Sequence, residues 1–404
     1  MPRTLRLLRR RAVCTAAAAG TALVLGASAA SAAVTWTIVT APPTGANATL
    51  QGVATVSDSD AWAVGFRNGA ANTNIGAKAL IDNWNGTAWS QVTTPATPGN
   101  TALLNAVSAS GASDAWAVGR TQVNKSSFEA LGLHWNGTAW SVSSGLSTAL
   151  FGGTYSVGVA DISATDAYVI GDNSSLASGE LAQWNGSNWT HVTYPLPTST
   201  GFPNTLNAIS ANGPNDVWIV GSYMIQISQT NLRYETFSLH WNGSTWSVVS
   251  MPLVSGSDTL LAYEFSSVVV NSPTDVWAVG GSGDHVIGLG GSPSNTLIEH
   301  WNGAAWSIVP SPSPGSNAGL TGVTTSNAAS SIWAAGFDTP AGASQPQTLT
   351  LNWNGTTWTT VASPNAASTD ILTSVATNPG AAIVWAVGDS GPTGSFNPLI
   401  LQNG

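Results

Sequence analysis

Seven residues combine side-chain area with directed hydrogen bonding and stand apart from any recurring pattern: Tyr155, Tyr223, Tyr234, Tyr263, Arg67, Arg120 and Arg233. Tyrosine offers a stacking face with a hydroxyl at its edge, and arginine a planar fork of donors. Both suit a sugar or a protein surface. The opposing reading is that each merely pins down a long loop. Tyr223, Arg233 and Tyr234 share the stretch 222–235 with Met224, Ile225 and Ile227, an apolar set for a connection. Leaving such groups in water costs roughly 25 cal/mol per Å². Either a ligand covers them, or Ile225 and Ile227 alternate inward as part of an extended hairpin.

Two further sets invite chemistry. His134, His240 and His300 each stand directly before a W-N-G tripeptide, where other copies carry Asn83, Gln183, Asn352 and Gln402. A metal needs all its ligands near 2 Å at once, and amides are poor transition-metal ligands. A hydrogen bond to a neighbouring strand or turn gives the whole set one role. Asp60, Asp114, Asp166, Asp216 and Asp275 each lie two residues before an aromatic. They suggest a ring of acids or a Ca²⁺ site. Asp is replaced by Ser331 and Ile383 where the preceding turn lengthens, which reads as an Asx turn. No metal or cofactor is expected. The only cysteine, Cys14, lies in the leader, which excludes a Cys–Tyr oxidase. No G-x-S-x-G elbow occurs. The three arginines beyond residue 33 are too scattered for a sialidase's carboxylate clamp. Loop carboxylates about 5–10 Å apart would permit polysaccharide cleavage, but no spacing marks such a pair.

The elements that must position these residues are repeats. W-A-V-G, or a close variant, recurs at Trp62, Trp116, Tyr168, Trp218, Trp277, Trp333 and Trp385. W-N-G-x-x-W starts at Trp84, Trp135, Trp184, Trp241, Trp301 and Trp353, and all 19 tryptophans fall on repeat positions. Each unit reads as four short strands; in the second they span 104–109, 115–119, 131–135 and 140–143. Asn-Gly turns the chain between the third and fourth, since both residues tolerate positive φ. Four strands repeated seven times give an all-β, seven-bladed β-propeller with antiparallel blades over 34–404. The last unit stops where its fourth strand should begin, so residues 35–39 are expected to complete it and close the ring. Tryptophans at uniform strand positions read as rings wedged between blades.

Turns between strands one and two and between three and four are short and share one rim. The long, dissimilar connections 66–78, 146–155, 222–235, 254–264 and 281–295 share the other and carry the candidate residues. Variable loops on a rigid scaffold are where recognition usually sits.

Residues 1–33 read as a signal peptide: Arg3, Arg6, Arg9, Arg10 and Arg11, an apolar run, then Ala30-Ser31-Ala32. The expectation is a secreted protein with no membrane span. Its removal leaves five basic against nineteen acidic residues, near −14, which disfavours nucleic acid. The units resemble those of kelch propellers, although only Gly280-Gly281 supplies the kelch double glycine. The W-A-V-G and W-N-G-x-x-W wording is closer to secreted propellers of actinobacteria. Some of those are lectin subunits of toxin particles, which implies a glycan ligand and a place in a larger secreted assembly. The expected function is therefore non-catalytic recognition of a glycan or extracellular protein through the variable-loop rim. The alternatives are a polysaccharide hydrolase or lyase and a structural or adhesive component of the cell envelope.

Overall fold

The computed structural model describes residues 35–45, 47–69, 75–124, 127–173, 178–197, 204–226, 232–252, 262–283, 294–326, 331–378, 382–392 and 395–404, with the backbone alone at 232–234 and 262–263. A strand exposes alternate side chains on its two faces, and in the W-A-V-G strand both faces are apolar. Trp62, Ala63 and Val64 are all buried, because each face meets a neighbouring sheet.

Seven four-stranded antiparallel sheets follow in chain order, over 49–91, 101–142, 154–191, 204–249, 262–308, 316–361 and 370–403. These are blades one to seven. Each of the first six runs in sequence order from its first to its fourth strand. In the seventh, Trp36–Ile38 adds outside Asn397–Asn403, pairing Trp36 with Asn403 and Ile38 with Leu401. The Val39 amide continues the ladder to the Ile400 carbonyl at 2.9 Å. The expected closure is what the chain forms.

The blades are held to one another by aromatic contacts. The second-strand aromatic of each packs against tryptophans on the outer strands of the next. Trp62 meets Trp135 and Trp140 at 5.0 and 5.1 Å between ring centroids. Trp116 meets Trp184 and Trp189, Trp218 meets Trp301 and Trp306, and Trp277 meets Trp353 and Trp358. Trp385 returns to Trp84 and Trp89, and Tyr168 reaches Trp246. The sixth interface is made by the N-terminal strand, where Trp36 stands at 90° to Trp333 with centroids 5.4 Å apart.

Polar clamps run along the short-turn rim, and they revise two sequence expectations. The carboxylates do not cap Asx turns. Each accepts a bond from the residue before W-N-G: Asn83 to Asp60, His134 to Asp114, Gln183 to Asp166, His240 to Asp216 and His300 to Asp275, at 2.7–3.0 Å. Where Ser331 replaces Asp, Asn352 donates to its hydroxyl at 2.8 Å. The W-N-G turns also differ from a two-residue hairpin. Trp84 pairs with Trp89, so four residues turn the chain. Only Gly86 has positive φ (91°), while the Asn85 side chain accepts the amides of Thr87 and Ala88. The tryptophan indole then donates back to the first turn, as Trp84 does to the Asp58 carbonyl at 2.9 Å.

Each innermost strand carries a bulge at the same place, between Leu50 and Gly52 in blade one and between Leu104 and Ala106 in blade two. The bulged residues line a central channel of about 460 Å³. Several also stitch blades together, Asn105 donating to the Ser156 carbonyl, Asn207 to Phe265 and Thr373 to Leu50. The bulge explains the glycine of W-A-V-G. A Cβ on Gly119 would lie 2.0 Å from the Leu103 carbonyl oxygen.

Trp36 alone supplies the sixth aromatic contact, so Trp36→Ala should cost about 3–5 kcal/mol in urea unfolding. Deleting residues 34–40 should lower the melting temperature further and promote aggregation through the exposed third strand. Unchanged stability in both variants would show that closure contributes nothing.

Candidate functional site

At the long-loop rim the ends of second strands lie near the starts of the next blade's first strands, bringing residues from different blades side by side. Blade two carries Arg120 in its second strand, Asp114–Asn124, and blade three begins with Thr154-Tyr155. The Arg120 guanidinium carbon sits 4.8 Å from the centroid of Phe128 and 5.6 Å from that of Tyr155. Two residues singled out by sequence, 35 positions apart, thus lie together. Phe128 completes it from the third strand of blade two, where it pairs with Gln122. Among the described residues no carboxylate lies within ion-pair distance of Arg120. Its charge is met by two π faces, which leaves the N–H donors at its edge for a ligand.

Carboxyls adjoin this platform. Asp172 is the backbone partner of Tyr155 in blade three. Burial raises its pKa to about 6, the Leu206 amide opposes the rise, and Glu264 on blade five adds to it. The Tyr155 phenol is also raised, first by burial and then by Asp172, with Arg120 pulling the other way. Sequence reasoning missed Phe128, Asp172 and Glu264. A signal for Asp172 was present: the residue after the W-A-V-G glycine is Phe66, Arg120, Asp172, Ser222, Gly281, Phe337 and Asp389 around the ring. That position varies while its neighbours repeat.

The remaining candidates fall elsewhere. Tyr223 is a strand residue paired with Asn204 and Glu235, and its hydroxyl donates to Glu235 Oε2 at 2.8 Å. Its ring stands edge-on to Phe237. The 222–235 stretch extends the blade's own hairpin, since pairing continues through Ile225 with Arg233 to Gln226 with Leu232. Ile227 and the side chains of Arg233, Tyr234 and Tyr263 lie outside the described residues. Arg67 is likewise in a strand, paired with Lys78, and its Nε is buried. The 146–155 connection holds a one-turn helix, Leu146–Ala149, which seats Leu146 and Ala149 in the core beside Trp116.

The three histidines stack on tryptophans, His134 on Trp116 at 4.3 Å and 20°. Among the described residues no three His, Cys, Asp or Glu converge as a metal would require. No helix there is long and apolar enough to cross a membrane. The channel wall is mostly small residues, hydroxyls and amides, with Asp161 its one carboxyl.

No protein-family model matches the chain, and no curated protein sequence does. Solved structures do share its fold. YCF48 from Cyanidioschyzon merolae is 15% identical with a TM-score of 0.53, covering 91% of this chain and 98% of that one. The polysaccharide lyase Uly1 is 12% identical with a TM-score of 0.53, covering 90% of each. A PL25 ulvan lyase bound to -[GlcA(1-4)Rha3S]- is 9% identical with a TM-score of 0.52, covering 87% of this chain and 93% of that one. Identities this low show the propeller fold alone.

Strongly shifted acids also occur away from the rim. Two residues before the W-N-G tryptophan, the chain places Leu133, Leu239 and Leu351 in three blades but Asp82 in blade one and Glu299 in blade five. Both acids are fully buried and neither carboxyl has a hydrogen-bond partner. Burial raises Asp82 to about 7, with Arg67 pulling it down, and raises Glu299 to about 8. A raised folded-state pKa makes stability complete below the ordinary carboxyl range and erodes it as pH climbs toward 8. Glu299→Leu should therefore raise the melting temperature by on the order of 5 °C at pH 9. The gap should shrink toward pH 5. A gap independent of pH would show that burial does not raise the Glu299 pKa above its unfolded value.

Proposed function

We propose that this protein is an extracellular recognition module that binds an acidic glycan at the long-loop rim, without turnover. The observation that carries this reading is Arg120, whose guanidinium carbon stands over the rings of Phe128 and Tyr155 with no carboxylate within ion-pair distance among the described residues. A guanidinium can meet a carboxylate or sulfate through paired hydrogen bonds. The Tyr155 ring beside it gives a sugar a stacking surface. The excess of acidic residues elsewhere in the chain confines attraction for an anion to such local sites. An acidic polysaccharide is also what the ulvan-lyase neighbour holds. Export follows from the leader read in residues 1–33.

A second reading, polysaccharide cleavage, draws on Asp172. A carboxyl raised by burial to about 6 and paired across the sheet with Tyr155 is in the range a general acid or base requires.

Binding of polygalacturonate and of a sulfated glucuronan, followed by calorimetry, tests the proposal. Arg120→Ala should weaken binding at least tenfold with little change in melting temperature, and salt should weaken it in the wild type. Affinity should rise as pH falls from 7 to 5, because Asp172 becomes neutral and stops repelling the ligand. Sugar release by the wild type, detected as reducing ends or unsaturated product and lost in Asp172→Asn, would establish the cleavage reading. Equal binding by Arg120→Ala would remove the site.

A further inference from the structure

A groove of about 590 Å³ lies on the outer flank of blade two, between its third and fourth strands and the 143–152 connection. The chain around it is firmly held. Leu150 is fully buried, its amide bonds the Leu146 carbonyl, and the Asn173 side chain donates to the Gly152 carbonyl at 3.1 Å. Between those anchors Phe151 takes a left-handed conformation, φ 61°, with Gly152 and Gly153 also left-handed. A bulky side chain rarely adopts that region. Phe151 is also 56% exposed, the joint most exposed of the large apolar residues described. Its ring touches His191 at 4.3 Å. Glycine at this position would relieve the backbone and remove the exposed ring together. A residue that carries both costs points to a task outside folding.

The groove wall indicates the ligand. Phe151, Glu129, Ser144 and Thr148 line it, together with Thr121, whose hydroxyl donates to the Thr101 carbonyl. Glu129 lines the groove, and its Oε2 accepts from Ser147 Oγ at 3.2 Å, which holds the carboxylate in place. An exposed aromatic face suits the C–H face of a pyranose, and a carboxylate accepts from neighbouring sugar hydroxyls. Among the described residues no cation lines the groove and its one charge is that of Glu129, so an acidic sugar would be repelled. The volume is within the range of small-ligand sites.

We infer that this groove is a second binding site, for a neutral hexose or pentose unit of a polysaccharide, with Phe151 as its stacking platform and Glu129 as its hydroxyl acceptor. The inference does not rest on Arg120. Cello-, xylo- and manno-oligosaccharides titrated into the full protein, with melting temperature in parallel, test it. At least one should bind the wild type. Phe151→Gly should weaken that binding at least tenfold while the melting temperature stays level or rises, Phe151→Trp should keep the binding, and Glu129→Gln should weaken it. Arg120→Ala should bind these sugars as the wild type does, so failure of the acidic-glycan reading leaves this result untouched. Absence of binding at millimolar sugar, equal binding by Phe151→Gly, or a lowered melting temperature in Phe151→Gly would overturn the inference.

Discussion

Everything in this ring depends on one contact repeated around it: a second-strand aromatic inserted against the outer-strand tryptophans of the next blade. An indole buries on the order of 150–250 Å², and edge-to-face pairs such as Trp62 with Trp140 at 90° add direction to that burial. The contact has a polarity, since each blade presents one aromatic forward and receives it on outer-strand tryptophans. Seven such steps must end where they began. Trp385 meets Trp84 and Trp89, and Trp36 meets Trp333. A residue near the start of the chain therefore answers a requirement set near its end.

Around that apolar ring the polar groups divide the molecule into two unlike rims. The short-turn rim is consumed by its own bonding. Asparagines hold the W-N-G turns, indoles reach back to the first turn, and amides or imidazoles are clamped on Asp or Ser. The long-loop rim has no such uniform wiring, and there the residue after the W-A-V-G glycine is free to differ from blade to blade. Arg120 and Asp172 occupy that one register position in adjacent blades. The scaffold thus supplies seven equivalent places at the mouth of the ring and lets each carry its own chemistry.

The blade number, the strand order and the non-covalent closure were legible in the sequence because they follow from period and from a truncated last repeat. Pairings across the sheet were less so. The Asp of the second strand and the residue before W-N-G both stand out, yet 17 to 25 positions separate them in different blades. Only the strand register shows that each is the other's partner. The inner-strand bulges leave no compositional mark, since Gln51, Asn105 and Thr373 look like ordinary strand residues. Arg120 and Tyr155 were both visible as candidates, but their meeting needs the neighbouring-blade geometry. The 222–235 stretch was open to two readings for a different reason. Its apolar residues suit a ligand surface and an extended hairpin alike, and only the pairing of Ile225 with Arg233 and of Gln226 with Leu232 shows the hairpin.

Closure by the first strand also sets a timetable. Trp36 and Thr37 meet residues some 365 positions later, so the last sheet is incomplete until the final residues have left the ribosome or the export channel. Bringing ends that far apart together costs on the order of 5 kcal/mol in chain entropy, and contacts of such separation form late. Blades one to six can assemble from local hairpins while the first strand waits unpaired. A chain cut short anywhere in blade seven would then carry an orphan N-terminal strand, and would itself report that synthesis had not finished.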